Sequence, residues 1–152
     1  MSSSGGNYPE QGVGTYTQAA TNALTTELNA LANATASAAS AAIDNTTGRD
    51  LYMDLELNLA VQGSARSSGA IVSVYMVASL DGGSTYADVN TGVAELVAVF
   101  PLDAAVTARV AVRRRIPLSP GLFKLVALNG TGQAFAATGS TLRYRTFTVT
   151  NI

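Results

Sequence analysis

The chain contains no cysteine, no histidine and no tryptophan. Without cysteine there is no disulfide, no thiol nucleophile and no thiolate metal site. Without histidine the commonest general base is missing, and with it both familiar catalytic triads and most zinc sites. Without tryptophan the usual aromatic platform for sugars is missing. Charge is scarce as well. Asp, Glu, Lys and Arg make up 12% of the residues and the net charge is −1, about half the ~25% charged content of ordinary domains. A near-neutral chain is not built to hold nucleic acid by bulk electrostatics. No apolar run approaches the roughly 20 residues of a membrane-spanning helix. The opening MSSSGGNYPEQG has neither a basic segment nor an apolar one, so it does not read as a secretory signal.

The place of charge is taken by Ala, Ser, Thr, Gly and Asn. Small neutral side chains suit a surface covered by neighbours, and they equally suit a drift toward alanine. At 152 residues one domain can bury a core without staples. The organisation predicted is an arm at residues 1–20 and a single domain at 21–152. Gly5, Gly6, Pro9, Gly12 and Gly14 break regular structure in the arm. Its large side chains are Tyr8 and Tyr16, and such an arm is either flexible or pinned to a partner.

Leu24, Leu28 and Leu31 fall at helical spacing and predict one or two turns within Thr21–Leu31. ALANATASAASAAIDN, Ala30 to Asn45, is ambiguous. Alanine favours helix, but the interleaved Asn, Thr and Ser compete for backbone hydrogen bonds. Leu28 to Ala38 alternates with period two, so Ala32–Ile43 is predicted as the first strand. LYMDLELNLAV, from Leu51, alternates cleanly, with Leu51, Met53, Leu55, Leu57, Leu59 and Val61 inward. AIVSVYMVASL (Ala70–Leu80) reads as a central strand. Further strands are predicted at Leu96–Phe100, Val106–Arg115, Leu122–Asn129 and Thr141–Val149, with QAFAAT pairing across the NGTG turn. In VTARVAVRRR the valines are set on one face and Thr107, Arg109 and Arg113 on the other. Seven or eight strands at 8–12 residue spacing predict an all-β fold, an antiparallel β-sandwich of jelly-roll type or a barrel.

Candidate chemistry is sparse. Asp54 and Glu56 share a strand face about 7 Å apart, a separation a glycosidase pair can use, or they are simply solvated acids. DNTTGRD, Asp44–Asp50, offers oxygen ligands without an EF-hand spacing, and equally makes a turn built by Asx side chains. Arg113, Arg114 and Arg115 are the one charge run, fit to meet carboxylates of a partner or to sit solvated at a strand end. Tyr52, Tyr75, Tyr86 and Tyr144 read as packed strand residues.

Three stretches carry a likeness: SLDGGSTYAD (Ser79–Asp88), PLSPGLFKL (Pro117–Leu125) and LRYR (Leu142–Arg145). Over Leu28 to Val149 the chain resembles small head proteins of tailed bacteriophages, the capsid decoration or cement proteins. The resemblance implies a jelly-roll sandwich bound as a dimer or trimer to the outside of the virion and tying major capsid proteins together. It implies no cofactor and no reaction. Charge and hydropathy lead us to expect neither a nucleic acid nor a membrane as partner, and the absence of cysteine fits synthesis in a reducing host cytoplasm. The interface expected on this basis comprises Tyr8, Pro9 and Tyr16 of the arm with Arg113, Arg114 and Arg115. Competing readings are a tail or fibre-tip module that binds a host receptor or carbohydrate, a bacterial carbohydrate-binding or adhesin module, and a carboxylate hydrolase on a jelly roll.

Overall fold

Strong alternation in the middle of the chain becomes strand, as expected. The computed structural model describes residues 20–149. Eight strands lie within them: β1 (Thr21–Leu24), β2 (Ile43–Asp44), β3 (Tyr52–Leu59), β4 (Ile71–Ser79), β5 (Glu95–Pro101), β6 (Arg109–Pro117), β7 (Leu122–Gly130) and β8 (Thr141–Phe147). They form two antiparallel four-stranded sheets, ordered β1-β8-β3-β6 and β2-β7-β4-β5. The protein is an all-β sandwich. Its pairings nest: β4 with β5, β3 with β6, β2 with β7 and β1 with β8, alternately in the two sheets. A long antiparallel hairpin wrapped once around a common core has this arrangement.

The core lies between the sheets. Met53, Leu55, Leu57 and Leu59 of β3 meet Val72 and Val74 of β4, Phe100 of β5, Leu125 of β7 and Leu142 of β8, all buried. Period two places alternate residues of each strand on this face. The flanking Leu51 and Val61, expected inward, are exposed because they lie beyond the ends of β3.

Three expectations of secondary structure fail in whole or in part. The leucines Leu24 and Leu28 are buried, but Thr21–Leu24 is a strand paired to β8 and only Thr26–Leu28 is helical, as a single 3-10 turn. QAFAAT does not pair across the NGTG turn. It runs back to residues 30–31 instead: Phe135 N–H donates to Leu31 O and Ala30 N–H to Ala136 O. The third failure is Ala32–Ile43, which is no regular strand. Strand geometry there is confined to one bridge at Ala36 and to β2.

What replaces the predicted strand is an edge cover with a period of three. Ala34, Ser37 and Ser40 donate their N–H groups to the carbonyls of Asn129, Ala127 and Leu125, at 2.7, 2.8 and 2.9 Å. Ile43 then pairs with Phe123. Three residues of the cover therefore match two of β7. Asn129 N–H still reaches a carbonyl, Thr35 O at 3.0 Å, but at Ala127 and Leu125 the extra residue leaves the β7 N–H without one. The serine hydroxyls fill the gap: Ala127 N–H donates to Ser37 Oγ and Leu125 N–H to Ser40 Oγ, both at 3.0 Å. Each hydroxyl donates onward to the carbonyl of the next residue. The alanine methyls are too small to select a face by burial, so the two buried serines set the period.

Candidate functional site

The outward face of the β1-β8-β3-β6 sheet is a ladder of matched side chains. The register opposes Tyr52 to Phe147, Asp54 to Arg145, Glu56 to Arg143 and Asn58 to Thr141. The rings of Tyr52 and Phe147 stack at 5.7 Å between centroids. Arg145 donates Nε and Nη2 to Asp54 Oδ2 at 2.9 and 2.7 Å. Arg143 donates both Nε and Nη2 to Glu56 Oε1, the former at 2.9 Å, and Asn58 Nδ2 donates to the same oxygen at 2.8 Å. Opposed charges on neighbouring strands are the pairing antiparallel geometry favours.

Beside this ladder β6 carries a bulge. Met53 pairs with Ile116 but Leu55 pairs with Arg113, so Arg114 and Arg115 together face Asp54. Arg115 takes φ +55°, the left-handed conformation such bulges use. Its N–H is thereby freed from the ladder and donates to Asp54 Oδ1 at 3.0 Å. Both oxygens of Asp54 are engaged and the residue is buried. A shallow cleft of about 210 Å³ lies here, with Ala20 on the β1 side and Val112 and Arg114 on the β6 side. The Arg114 guanidinium has no hydrogen-bond or ion-pair partner among the described residues.

The three arginines do not form one patch. Arg113 turns to the rim of the sandwich, donates Nε to Val99 O at 2.6 Å, and lies over the Phe100 ring at 5.9 Å. Arg114 lines the cleft, and Arg115 is fixed by its backbone. On β6 the valine face turns outward: Val110 and Val112 are exposed, while Ala111 packs against the core. The reason lies in the partner strand. Ala111 and Arg113 oppose Leu57 and Leu55, whereas Val110 and Val112 oppose Asn58 and Glu56. Tyr8, Pro9 and Tyr16 lie outside the described residues.

The carboxylates Asp54 and Glu56 are adjacent on one face as predicted, but each is held by an arginine. The Arg143 hydrogen bond, and secondarily the one from Asn58, holds the Glu56 carboxyl below its usual range against the opposing effect of burial. A general acid needs the opposite shift. In the 44–50 loop the Asx reading holds. Asn45 is buried, its Oδ1 accepts Asp50 N–H at 2.8 Å, and its Nδ2 donates to Asp50 O and Ser119 O. Asp44 accepts the Thr46 hydroxyl and N–H, which lower its carboxyl pKa. Tyr52, Tyr75 and Tyr144 are strand residues. Tyr86 is not: it lies in the β4–β5 connection with Lys124 Nζ 4.2 Å over its ring.

Sequence reasoning missed two polar nodes. Arg66, in a Gly/Ser loop, has a fully buried side chain. It donates to Gln62 Oε1, to the carbonyls of Asp103 and Thr107, and to Asp103 Oδ1. Asp103 also accepts Arg109, and these two guanidinium groups bring its carboxyl down to about 2. Asn129, fully buried, donates to Leu31 O and Gln133 O and accepts both the N–H and the hydroxyl of Thr131. The available signals were a lone Arg in a Gly/Ser loop and an Asn at the end of a predicted strand, and neither distinguishes these residues from solvated ones.

No protein-family model matches the chain, and no curated protein matches it.

Proposed function

We propose that this protein is a structural component of a tailed-phage virion, a decoration or cement protein on the outside of the capsid that stabilises contacts between major capsid proteins. The observation that carries this reading is the uncovered apolar surface. Leu80, Val93, Val110, Val61 and Leu96 are each more than half exposed on a chain with only 12% charged residues. Leu80, Val89, Val93 and Leu96 belong to one stretch, from the end of β4 to the start of β5. Apolar side chains left exposed along one connection make that connection a candidate interaction surface. The nested strand pairing supports reading the sandwich as a jelly roll, an architecture used in viral shells and in lectins.

The physical role follows from linkage. A protein bound across neighbouring capsid subunits makes contacts that exist only in the assembled shell, so it shifts the equilibrium toward assembly. Repetition of weak sites on a lattice, and self-association as a dimer or trimer, add avidity.

The deciding experiment is quantitative mass spectrometry of purified virions from the source phage. Copies in fixed proportion to the major capsid protein are the expected result. A handful of copies per particle would favour a tail or fibre-tip module that binds a receptor. Absence from the particle would refute both.

A further inference from the structure

The cover over the β7 edge is bound to the domain almost without apolar contact. Leu31 packs against the core at one end of it and Ile43 is buried at the other. Between them, the buried side chains are Ser37 and Ser40. The apolar residues of 32–42 are all alanines, and none is buried. Its attachment is polar. Ala34, Ser37 and Ser40 donate to β7 carbonyls, and Asn129 N–H donates to Thr35 O at 3.0 Å. Ala127 and Leu125 donate to the two serine hydroxyls, and Gly132 N–H donates to Asn33 Oδ1 at 2.7 Å. Ala34 holds φ +58°, a left-handed conformation that a residue with a Cβ adopts at a cost.

The two ends are held more firmly than the middle. Leu28 is buried, Leu31 O accepts Phe135 N–H, and Ile43 pairs with Phe123. Lifting residues 32–42 between these anchors exposes little apolar area. Each broken hydrogen bond is replaced by one to water, so its net loss is small. In return, eleven residues regain backbone freedom. The β7 amides beneath are edge groups, and lifting the cover is enough to solvate them.

We propose that residues 32–42 open as a unit, a releasable strap over the β7 edge, while both sheets stay folded. Closed, the strap denies that edge to other chains. β7, with Leu122, Phe123, Leu125, Val126 and Leu128, is the apolar kind of strand whose bare edge templates pairing. The pleat separates the consequences of release within this one strand. Leu125, Ala127 and Asn129 turn their N–H groups to the strap. Backbone alternation turns those of Lys124, Val126 and Leu128 to β4, opposite Val77, Tyr75 and Ser73. The first set loses its partners when the strap lifts, and the second set keeps them.

Amide hydrogen exchange of the full chain, read by NMR and corrected for intrinsic rates, tests this. The amides of Ala34, Ser37, Ser40, Leu125, Ala127 and Asn129 are expected to share one opening equilibrium. They should exchange roughly a hundredfold faster than those of Lys124, Val126 and Leu128, with little dependence on denaturant. Equal protection of the two β7 sets overturns the proposal, because the strap then leaves only with the whole domain. A locked variant checks the cause. Ala36 and Leu128 are bridged, flanked by the Ser37–Ala127 and Asn129–Thr35 bonds. Such a non-hydrogen-bonded pair has Cα atoms about 4.5 Å apart, close enough for a disulfide, and the chain has no native cysteine to interfere. In the double variant Ala36→Cys, Leu128→Cys, oxidation should slow the six amides to the level of Lys124, Val126 and Leu128, and reduction should restore the difference. Six amides that stay fast in the oxidised variant refute strap release.

Discussion

Replacing Arg66 by methionine keeps an unbranched apolar stem and removes the fork. In the native protein the guanidinium makes five N–H···O contacts, at 2.9 Å to Asp103 O, Gln62 Oε1 and Asp103 Oδ1 and at 3.2 Å twice to Thr107 O. Four acceptor atoms lose a donor, though Asp103 Oδ1 keeps the one from Arg109 Nε at 2.9 Å. At about 1 kcal/mol per acceptor the loss is roughly 4 kcal/mol. Asp103 and Thr107 are exposed residues and their oxygens regain some water, whereas Gln62 is buried. The expected cost of Arg66→Met is therefore about 3 kcal/mol. Urea unfolding should show the midpoint falling by roughly 1–2 M with the slope unchanged. Arg66→Lys restores the charge without the planar fork and should recover about half of the loss. Arg49→Met is the control: Arg49 is exposed, its side chain makes one 3.4 Å contact to Thr46 O, and the change should stay within about 0.5 kcal/mol. If Arg66→Met also fell within that range, the buried node would contribute no net stability and the reasoning from hydrogen-bond count would be wrong.

Ser37→Ala and Ser40→Ala each orphan a buried β7 N–H. Each should cost about 1–2 kcal/mol by thermal melting, with faster hydrogen exchange at the amides of Ala127 and Leu125 respectively. Gly132→Ala should destabilise by about 1–3 kcal/mol in the same assay, because the residue has φ +82° and its Cβ would lie 1.9 Å from Ser67 Oγ. Asp103 and Asp81 have carboxyl pKa values lowered from 3.8 to about 2, Asp103 by Arg109 and Arg66 and Asp81 by hydrogen bonds from Thr85 and Ser79. A lowered native pKa gives stability that is present above the unfolded value and is lost as pH falls through the folded one. Stability should accordingly decline between pH 3.8 and about 2, and an acid titration of Asp103→Asn should show a shallower decline over that window.

Strand β3 shows why part of this fold was legible. Met53, Leu55, Leu57 and Leu59 are large enough that burying one set of alternate positions outweighs every alternative, and all four are in the core. β6 shows the limit. Its alternation defines two faces but carries no label for which one is inner, since valine on one side competes with alanine and arginine on the other. Pairing with Leu55 and Leu57 decided the matter, and sent Val110 and Val112 to the surface. The arginine run illustrates the same point for the site. Adjacency in sequence suggested one basic patch. The bulge separates Arg114 from Arg113, and a π-face and a carbonyl at the sandwich rim capture Arg113.

By itself the sequence determined the all-β class, the positions of the long strands, the turns between them and the Asx-built loop at Asp44–Asp50. These depend on side-chain size, period and local backbone preference, all of which act over a few residues. Only the tertiary structure decided the nested strand order, the three-for-two edge cover on β7, the facing of β6, and the partners of Arg66, Arg143 and Arg145. Those outcomes depend on which strands meet, as with Arg143 and Glu56, 87 residues apart in the chain. Local pattern carries no information about such distant neighbours.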